Sequence, residues 1–408
     1  MKGVRLMEKK TLDDYLQLER TTALISDLVH IYSPYFHEDA VMEYAHDWLK
    51  DKGLDASYQR YHEKKVTNYK GTNVIGRMKG QAEGPIILLN GHLDTVEICQ
   101  GWTKDPLDAT VENGNLYGVG AVDMKAGCAA IMLAVEAFVK TTDHFNGEIL
   151  YTLVSDEEGP YGLGTDALLL DGITDYVDAA IVTEPSGTFS GTPFPCLCLG
   201  ARGGWNYTVS FTGKSAHAAS PELGIDAVED AAKVMAELKK TELKEDPKLG
   251  RGEIVVIEFK GGGAACSVPD QASFTVFRHT IPGENISFLR KEVEAAVKRA
   301  EIRSSWNMKF RDAPHPENGG YDPYVISESN PYTKAMKRSI QEVTGQPPVI
   351  NYFPSIGDFN YLGSRAKIPT YVFGPHGGNF HGPDEYVQLE SVIQTSKVIA
   401  EYLKEVLT

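Results

Sequence analysis

The first 195 residues alternate short, continuously apolar runs with segments whose apolar residues recur at helical spacing. The runs PIILLNGHLDTV, GEILYTLVS and DAAIVTEPSG predict buried strands, and MKAGCAAIMLAVEAFVKTT predicts a helix between the first two. Further helices are predicted over residues 12–31 and 38–53. Strands that are apolar throughout and separated by helices are typical of a mostly parallel sheet with helices on both faces. The sequence therefore predicts an α/β fold.

The pattern changes near residue 200. Four segments then have the pattern of strands: WNYTVSFTG, EIVVIEFKGG, ASFTVFRHT and WNMKFRD. Two segments between them have the pattern of amphipathic helices: DAVEDAAKVMAELKKT and ENISFLRKEVEAAVKRAE. The resulting order β-α-β-β-α-β is that of a ferredoxin-like α+β domain. Helix–strand–helix alternation resumes afterwards, with a strand at IPTYVFG and a last helix over 388–406. We therefore predict a discontinuous catalytic domain over 1–199 and 313–408, with a ferredoxin-like domain inserted at 200–312.

The net charge of −16 over 408 residues disfavours nucleic acid and anionic membranes as partners, because both require a basic surface. No apolar stretch approaches the ~20 residues of a membrane span, and the start of the chain lacks the apolar core of a signal peptide. The five cysteines are few and scattered, and Cys196 and Cys198 have no further ligands at zinc-finger spacing. We expect a cytoplasmic protein without disulfides.

Polar clusters follow the predicted strands. They are GHLDTV with His92 and Asp94, VDMKAG with Asp123, SDEEG with Asp156, Glu157 and Glu158, TEPSG with Glu184, and the later GPHGGNFHGPDEY with His376, His381 and Glu385. Taken alone, each has an ordinary explanation, such as a helix cap for Asp123 or a buried hydrogen-bonded histidine for His92. Together, however, the carboxyl ends of parallel strands meet at one edge of a sheet. So many acids in one place repel one another unless a cation lies among them.

The composition of these clusters favours borderline metals over calcium, which prefers an all-oxygen shell. Two histidines and three carboxylates are ligands typical of zinc, with cobalt and manganese as alternatives. The number of donors suits two divalent ions that share one carboxylate. Such a pair can polarise a carbonyl group and activate a water molecule.

Five motifs in this order, GHLDTV, GVGAVDMKAG, SDEEG, TEP and HGPDE, resemble those of one metallopeptidase and deacylase family. This is the family of carboxypeptidase G, acetylornithine deacetylase and succinyl-diaminopimelate desuccinylase, and the resemblance runs from about residue 70 to residue 390. It implies a zinc-peptidase-like catalytic domain and the following roles: metal ligands His92, Asp123 (bridging), Glu158, Glu184 and His381; general base Glu157; and Asp94 orienting His92. The resemblance also implies a cis peptide bond after Asp123.

On the substrate side, the resemblance implies roles in both predicted domains. His217 would reach across a dimer and stabilise the oxyanion, and Arg278 would bind a substrate carboxylate, with Arg202 in a similar position. Gly357 and Asp358 would line the pocket. The sequence departs from the family pattern at Cys266, where relatives often have Asn, and at Val276, where they often have Asp. These departures concern the substrate rather than the metals.

The resemblance therefore implies a metal-dependent amidohydrolase. We expect it to cleave the amide bond of an N-acyl amino acid or a C-terminal amino-acid conjugate, because Glu at position 184 resembles the deacylase and carboxypeptidase branches. A dipeptidase or aminopeptidase of the same family is one alternative, and a catalytically silent metal-binding scaffold is another. We also expect a homodimer that pairs through the inserted domain, either at EIVVIEFKGG or at the adjacent helix.

Overall fold

The computed structural model describes residues 10–408. In that part of the chain, no helix combines the length and the apolar character needed to cross a membrane. The described chain forms two compact units: the first comprises residues 10–200 and Val325–Thr408, and the second comprises Ala201–Tyr324. Residues 1–9 of the predicted catalytic domain lie outside the described residues.

The helices follow in chain order: α1 (Leu12–Tyr15), α2 (Leu18–His30), α3 (Asp39–Asp51), α4 (Ala126–Thr141), α5 (Leu163–Leu170), α6 (Ser186–Ser190), α7 (Ala227–Lys239), α8 (Ile286–Ala300), α9 (Pro331–Thr344), α10 (Asp358–Asn360) and α11 (Leu389–Leu407). The strands are β1 (Ser57–His62), β2 (Lys70–Lys79), β3 (Ile86–His92), β4 (Thr110–Glu112), β5 (Asn115–Tyr117), β6 (Glu148–Val154), β7 (Ala179–Val182), β8 (Cys196–Ala201), β9 (Gly203–Thr212), β10 (Glu245–Asp246), β11 (Gly250–Arg251), β12 (Glu253–Gly262), β13 (Gln271–Thr280), β14 (Ser305–Phe310), β15 (Tyr324–Val325), β16 (Val349–Phe353), β17 (Thr370–Val372), β18 (Gly377–Gly378) and β19 (Tyr386–Gln388).

The main sheet has the strand order β1-β2-β6-β3-β7-β17-β8-β15, with β16 paired to β8. Its centre, β6-β3-β7-β17, is parallel, whereas β1, β2 and β8 join it in antiparallel pairs. Strands β6 and β7 are buried at every position, as expected for parallel strands covered on both faces. The predicted α/β fold is therefore confirmed, and the antiparallel flanking strands are additions that the sequence pattern did not predict.

Most predicted elements lie within a few residues of the observed ones, but the helix predicted over 12–31 is divided. It forms α1 and α2, because Leu16 and Gln17 leave the helical region, Gln17 with φ −89° and ψ 152°. A small sheet, β18-β19-β5-β4, was not predicted. In this sheet Tyr386 pairs with Tyr117, which joins the chain after His381 to the segment before Asp123.

The second unit has the element order β9-α7-β12-β13-α8-β14 and the antiparallel sheet order β12-β13-β9-β14. A short 3₁₀ helix (Pro221–Leu223) precedes α7, and the β10–β11 hairpin follows it. Helix α7 begins after Asp226 and α8 after Asn285, and both side chains accept a backbone hydrogen bond from the first helical turn. This is the predicted ferredoxin-like arrangement. The unit ends at Tyr324 rather than at 312, because Gly204 and Tyr321 exchange backbone hydrogen bonds of 2.8 and 2.9 Å.

Candidate metal centre

Polar side chains of the first unit converge where the parallel strands end. β3 ends at His92, the chain after β6 supplies Glu157 and Glu158, and the chain after β7 supplies Glu184. Since β6, β3 and β7 are neighbours in one parallel array, these residues leave the sheet at the same edge. The turn before α4 adds the predicted bridging residue Asp123.

Asp123 lies between two histidines and offers one carboxylate oxygen to each. Its Oδ1 is 3.4 Å from His92 Nε2, and its Oδ2 is 3.3 Å from His381 Nε2. Each histidine has a further carboxylate close by: Glu184 Oε1 is 3.3 Å from His92 Nε2, and Glu158 Oε1 is 2.9 Å from His381 Nε2. The donors thus form two half-sites that share Asp123. We call them the His92 half-site (with Glu184) and the His381 half-site (with Glu158).

Glu157 lies beside the His92 half-site without a close partner in either half-site. Its Oε2 is 3.8 Å from His92 Nε2, and its side chain is 15% exposed. Gly357 approaches it so closely that a Cβ at this position would lie 3.0 Å from Glu157 Oε1 and 2.6 Å from the ring of Phe359. A side chain at position 357 would therefore displace the Phe359 ring or the Glu157 carboxylate.

The turn that carries Asp123 is fixed by a buried acid, Glu385. Its carboxylate accepts the N–H groups of Gly120 (2.9 Å), Val122 (2.9 Å) and Asp123 (3.1 Å). The Asp123–Met124 peptide bond in this turn is cis, as the resemblance implies. Glu385 was singled out in the sequence without a role, and the structure shows that it holds the backbone around the shared carboxylate.

The acidic segment after β6 is held through its backbone amides. The N–H of Ser155 donates to Asn73 Oδ1 (3.1 Å), that of Asp156 to Glu38 Oε1 (3.0 Å), and that of Glu158 to Asp94 Oδ2 (2.8 Å). Two of these acceptors come from polar segments that showed no functional pattern in the sequence.

Asp94 also lies beside His92. The ring Nδ1 of His92 is 3.0 Å from the backbone carbonyl oxygen of Asp94 and 3.4 Å from its Oδ1. The hydrogen bond goes to the backbone carbonyl, whereas Asp94 Oδ1 makes none, so the orienting role predicted for the side chain stays a prediction.

Burial raises the pKa of three acids at the centre, Glu157, Glu158 and Glu184, whereas the two histidines hold the pKa of Asp123 below its ordinary value. It raises the pKa of Glu184 to about 8 and that of Glu158 to about 7, with the nearby charge of Asp123 adding to both shifts. Burial also raises the pKa of Glu157 well above its ordinary value, and the charge of Glu184 adds to the shift. The acids therefore resist ionising together while protons alone balance their charge.

The histidines respond in the opposite direction. The hydrogen bonds of His381 to Asp123 and Glu158 raise its pKa to about 11. Burial lowers the pKa of His92, but the acids around it raise this pKa by more. The net effect is a pKa well above the ordinary value. Both imidazoles thus lie in a field that attracts positive charge.

The donor set fits divalent metal ions. His92 Nε2 is buried and has no hydrogen-bond partner, although two carboxylates lie within 3.4 Å of it. Donor atoms of His92, Glu157 and Glu184, and those of His92, Asp123 and Glu158, lie within 4.8 Å of one another. Neither half-site contains a Lys or Arg, so a bound cation is the group that would neutralise the acids.

The burial and the ion pairs of Arg278 do not agree with its predicted role as a substrate contact. Its side chain is 0% exposed in the second unit, and the guanidinium is bonded to Glu284 Oε1 (3.1 Å) and to both carboxylate oxygens of Glu292 (3.1 and 3.2 Å). A guanidinium enclosed by two carboxylates has no face left for a substrate. Val276 is likewise 0% exposed and packs in the core of the same unit, so it is not a substrate contact.

The other predicted substrate residues of the second unit are accessible. His217 is exposed, and its Nδ1 accepts the N–H of Ala219 at 3.1 Å, which leaves the hydrogen of the neutral ring on Nε2. Arg202 is half-buried, and its Nε donates to the carbonyl of Leu249 at 2.9 Å. Cys266 is exposed and lies next to His217 in the fold, because Ser267 forms a bridge with His217.

Asp358, in the first unit, is almost fully buried. Its Oδ2 accepts the hydroxyl of Thr165 at 2.8 Å, and burial raises its pKa to about 7. It directly follows Gly357, which passes beside Glu157.

Comparisons with known proteins agree with this geometry. The profile of peptidase family M20/M25/M40 matches residues 88–405. The chain belongs to this family. It is therefore an M20 metallo-hydrolase of amide bonds, as the sequence motifs predict.

Individual M20 relatives differ in what they cleave. A succinyl-diaminopimelate desuccinylase of Sulfurovum sp. is 27% identical over 85% of this chain and 91% of its own length. A tripeptidase of Staphylococcus aureus has the same fold, with a TM-score of 0.79 at 20% identity over 96% of this chain and 98% of its own. A dinuclear metal binding peptidase of Bacillus subtilis gives a TM-score of 0.69 at 16% identity, covering 96% and 98%. The likeness to both solved structures is one of fold.

Proposed function

We propose that this protein is a two-metal amidohydrolase that releases the acyl group from an N-acyl amino acid, or a C-terminal residue from an amino-acid conjugate. The single observation that carries the proposal is the position of Asp123, with one oxygen towards each of two histidines and a further carboxylate beside each histidine. Glu157 is the acid left beside this arrangement.

The His92 half-site would hold one divalent ion and the His381 half-site the other, with Asp123 common to both. Zinc suits imidazole and carboxylate ligands, and cobalt or manganese are the alternatives. When bound, such ions supply Lewis-acid polarisation of the scissile carbonyl and make water more acidic.

Glu157 moves the proton in the proposed reaction. Its carboxylate takes a proton from the attacking water as the oxygen bonds to the carbonyl carbon, and then gives that proton to the leaving nitrogen as the C–N bond breaks. Burial, which raises the pKa of Glu157, favours retention of the proton between the two steps.

Two residues of the second unit would complete substrate recognition. His217 would reach across a dimer, where its Nε2 hydrogen would donate to the carbonyl oxygen as charge develops on it, and Arg202 would attract a substrate carboxylate. Exposed Cys266, beside His217, would influence the preferred acyl group. We no longer assign a substrate contact to Arg278 or Val276, because both are enclosed in the second unit.

We also propose a homodimer through β12, an edge strand of the second unit. Val255, Ile257 and Phe259 on this strand are 43%, 55% and 39% exposed, which is unusual for three large apolar residues in one strand. Light scattering after size exclusion would show a dimer, and a monomer at micromolar concentration would contradict the proposal.

The substrate class rests on the desuccinylase relative and on Glu184, and a panel of substrates tests it. Metal-reconstituted protein is offered N-acetyl and N-succinyl amino acids, folate-like glutamates, dipeptides and tripeptides. We expect turnover of one N-acyl class and a loss of about 10²- to 10⁴-fold in Glu157→Ala with both metals retained.

Glu390→Ala, which removes an exposed acid on α11, serves as the matched control and should behave like the wild type. Cleavage of peptides alone would reassign the enzyme to the dipeptidase or aminopeptidase branch. Full activity of Glu157→Ala would overturn the role of the general base, and two bound metals without turnover of any substrate would favour a silent scaffold.

A further inference from the structure

Glu38 is a buried acid that contacts the acidic segment after β6. It lies outside residues 88–405, which the family profile matches. Glu38 precedes the first residue of α3 and is 2% exposed. Its Oε1 accepts the N–H groups of Phe36 (2.9 Å) and Asp156 (3.0 Å), and its Oε2 accepts the hydroxyl of Tyr69 (2.5 Å). All three partners are donors, so the carboxylate is satisfied on both oxygens. The rings of Phe36 and Tyr69, with centroids 4.6 Å apart, lie beside it.

The contact to Asp156 matters because of the conformation of that residue. Asp156 has φ +60°, a left-handed conformation that residues with a Cβ rarely adopt. It directly precedes Glu157, so the direction of the chain at Asp156 decides where the side chain of Glu157 points. On its other side, Asp156 Oδ2 accepts the N–H of Leu163 at 3.2 Å.

The residues on either side of Asp156 and Glu157 are held from elsewhere in the first unit. Asn73 on β2 accepts the N–H of Ser155, and Asp94 accepts the N–H of Glu158. Glu38 supplies the acceptor between them. Without Glu38, the buried N–H of Asp156 would lose its partner, and the left-handed residue would lose the contact that fixes it.

We propose that Glu38 is a positioning residue of this enzyme: its carboxylate holds the backbone of Asp156 in the left-handed conformation and thereby holds Glu157 towards the His92 half-site. The inference rests on the proposed role of Glu157 as the general base. It makes a side chain from the N-terminal helical segment part of the machinery that prepares the proton transfer, although it touches neither substrate nor metal.

The first test compares Glu38→Ala with Glu38→Gln on the panel substrate that the wild-type protein cleaves. Glu38→Ala should lower kcat about 10- to 100-fold, as expected for a misplaced catalytic group, with KM changed less than about threefold. Glu38→Gln keeps an amide oxygen for the N–H groups of Phe36 and Asp156 and should recover most of kcat. Both variants should retain the same metal content as the wild type.

Asp230 provides a matched control in the second unit. This acid, 5% exposed, also accepts three donors: the N–H of Arg303 (3.0 Å), the N–H of Ser304 (2.8 Å) and the Ser304 hydroxyl (2.7 Å). Asp230→Ala should lower Tm, as Glu38→Ala does, but leave kcat within about twofold. An equal loss of kcat in Asp230→Ala would mean that Glu38 acts only through general stability, and would overturn the proposal.

Hydrogen exchange gives a readout that needs no substrate. In metal-loaded Glu38→Ala, the peptide over residues 148–163 should exchange faster than in the wild type, and in Glu38→Gln it should stay close to the wild type. Unchanged exchange in Glu38→Ala, or an unchanged kcat, would overturn the positioning role. The Glu157→Ala variant distinguishes the positioning role of Glu38 from the proposed function. If Glu157→Ala keeps its activity, the proposed function fails. If Glu157→Ala is inactive but Glu38→Ala is fully active, only the positioning role of Glu38 fails.

Discussion

The two units of the molecule both bury clustered acids, but they balance the charge in opposite ways. In the second unit, Glu284 and Glu292 surround Arg278, and all three side chains are at most 2% exposed. In the first unit, the two half-sites gather four carboxylates, counting Glu157, and two histidines without a Lys or Arg among them. The buried triad carries its own cation, whereas the metal centre requires one from solution. A cluster of several acids in a core thus indicates a functional centre when no basic side chain accompanies it.

Removal of metal should produce the largest effect and should act on the first unit alone. A chelator should abolish activity and destabilise the first unit by about 4 kcal/mol for each ion that it removes, if each site was loaded at about 1,000 times its Kd. Hydrogen exchange of β3 and β6 should rise, while that of β9 and β13 should stay unchanged. Restored activity after addition of zinc, cobalt or manganese completes the test. Retained activity in the chelated protein would contradict a catalytic metal centre.

Loss of Arg278 should affect the second unit alone. Arg278→Ala leaves Glu284 and Glu292 buried without a cation, which should cost about 3–5 kcal/mol. Exchange of β13 during a urea titration measures this loss, and the metal content should stay unchanged. Glu328→Ala removes an exposed acid that pairs with Lys337 and should have little effect. A stable Arg278→Ala variant with a raised KM would instead restore Arg278 as a substrate contact.

The pH dependence of stability should differ between the units and should be the smallest of these effects. Burial raises the pKa of Asp358 to about 7, so the folded state holds a proton that the unfolded chain releases above pH 3.8. The stability this provides is present below pH 3.8 and is lost as pH rises to about 7. Asp358→Asn should therefore flatten this decline in chelated protein.

His279, in the second unit, should give the opposite slope. Burial lowers its pKa to about 4, so its contribution to stability is present above pH 6.5 and is lost as pH falls to about 4. Thermal unfolding of Asp358→Asn and His279→Gln between pH 4 and pH 8 would show the contrast. Equal slopes in both variants and the wild type would contradict these assignments.

The sequence groups His92, Glu158 and Glu184 at one sheet edge because each ends or follows a continuously apolar strand. Asp123 and His381 follow no such strand, and the family resemblance alone implied them. Residues such as His92 and Glu184 stand at the ends of buried strands, and the strand pattern alone therefore predicts that they lie at one sheet edge. Glu38 and Asn73 were not found, because they lie in mixed segments without periodicity, and only the tertiary fold brings them to the acidic segment. Local pattern carries no information about such contacts.

Arg278 was misjudged although its own strand contains the correct signal. Along β13 the buried positions are 272, 274, 276, 278 and 280, a strict alternation. Arg278 therefore shares the core face with Phe274, and an arginine on that face predicts an enclosed ion pair. The family resemblance pointed to a substrate contact, and the two-residue period was the better guide here.

The most direct test of the two-metal centre is an anomalous diffraction map of the zinc-reconstituted protein, with metal content measured on the same sample. We predict two zinc ions per chain, one among His92, Glu184 and Asp123 and the other among His381, Glu158 and Asp123. One ion or none at full reconstitution, or a pair of ions that does not share Asp123, would contradict the account.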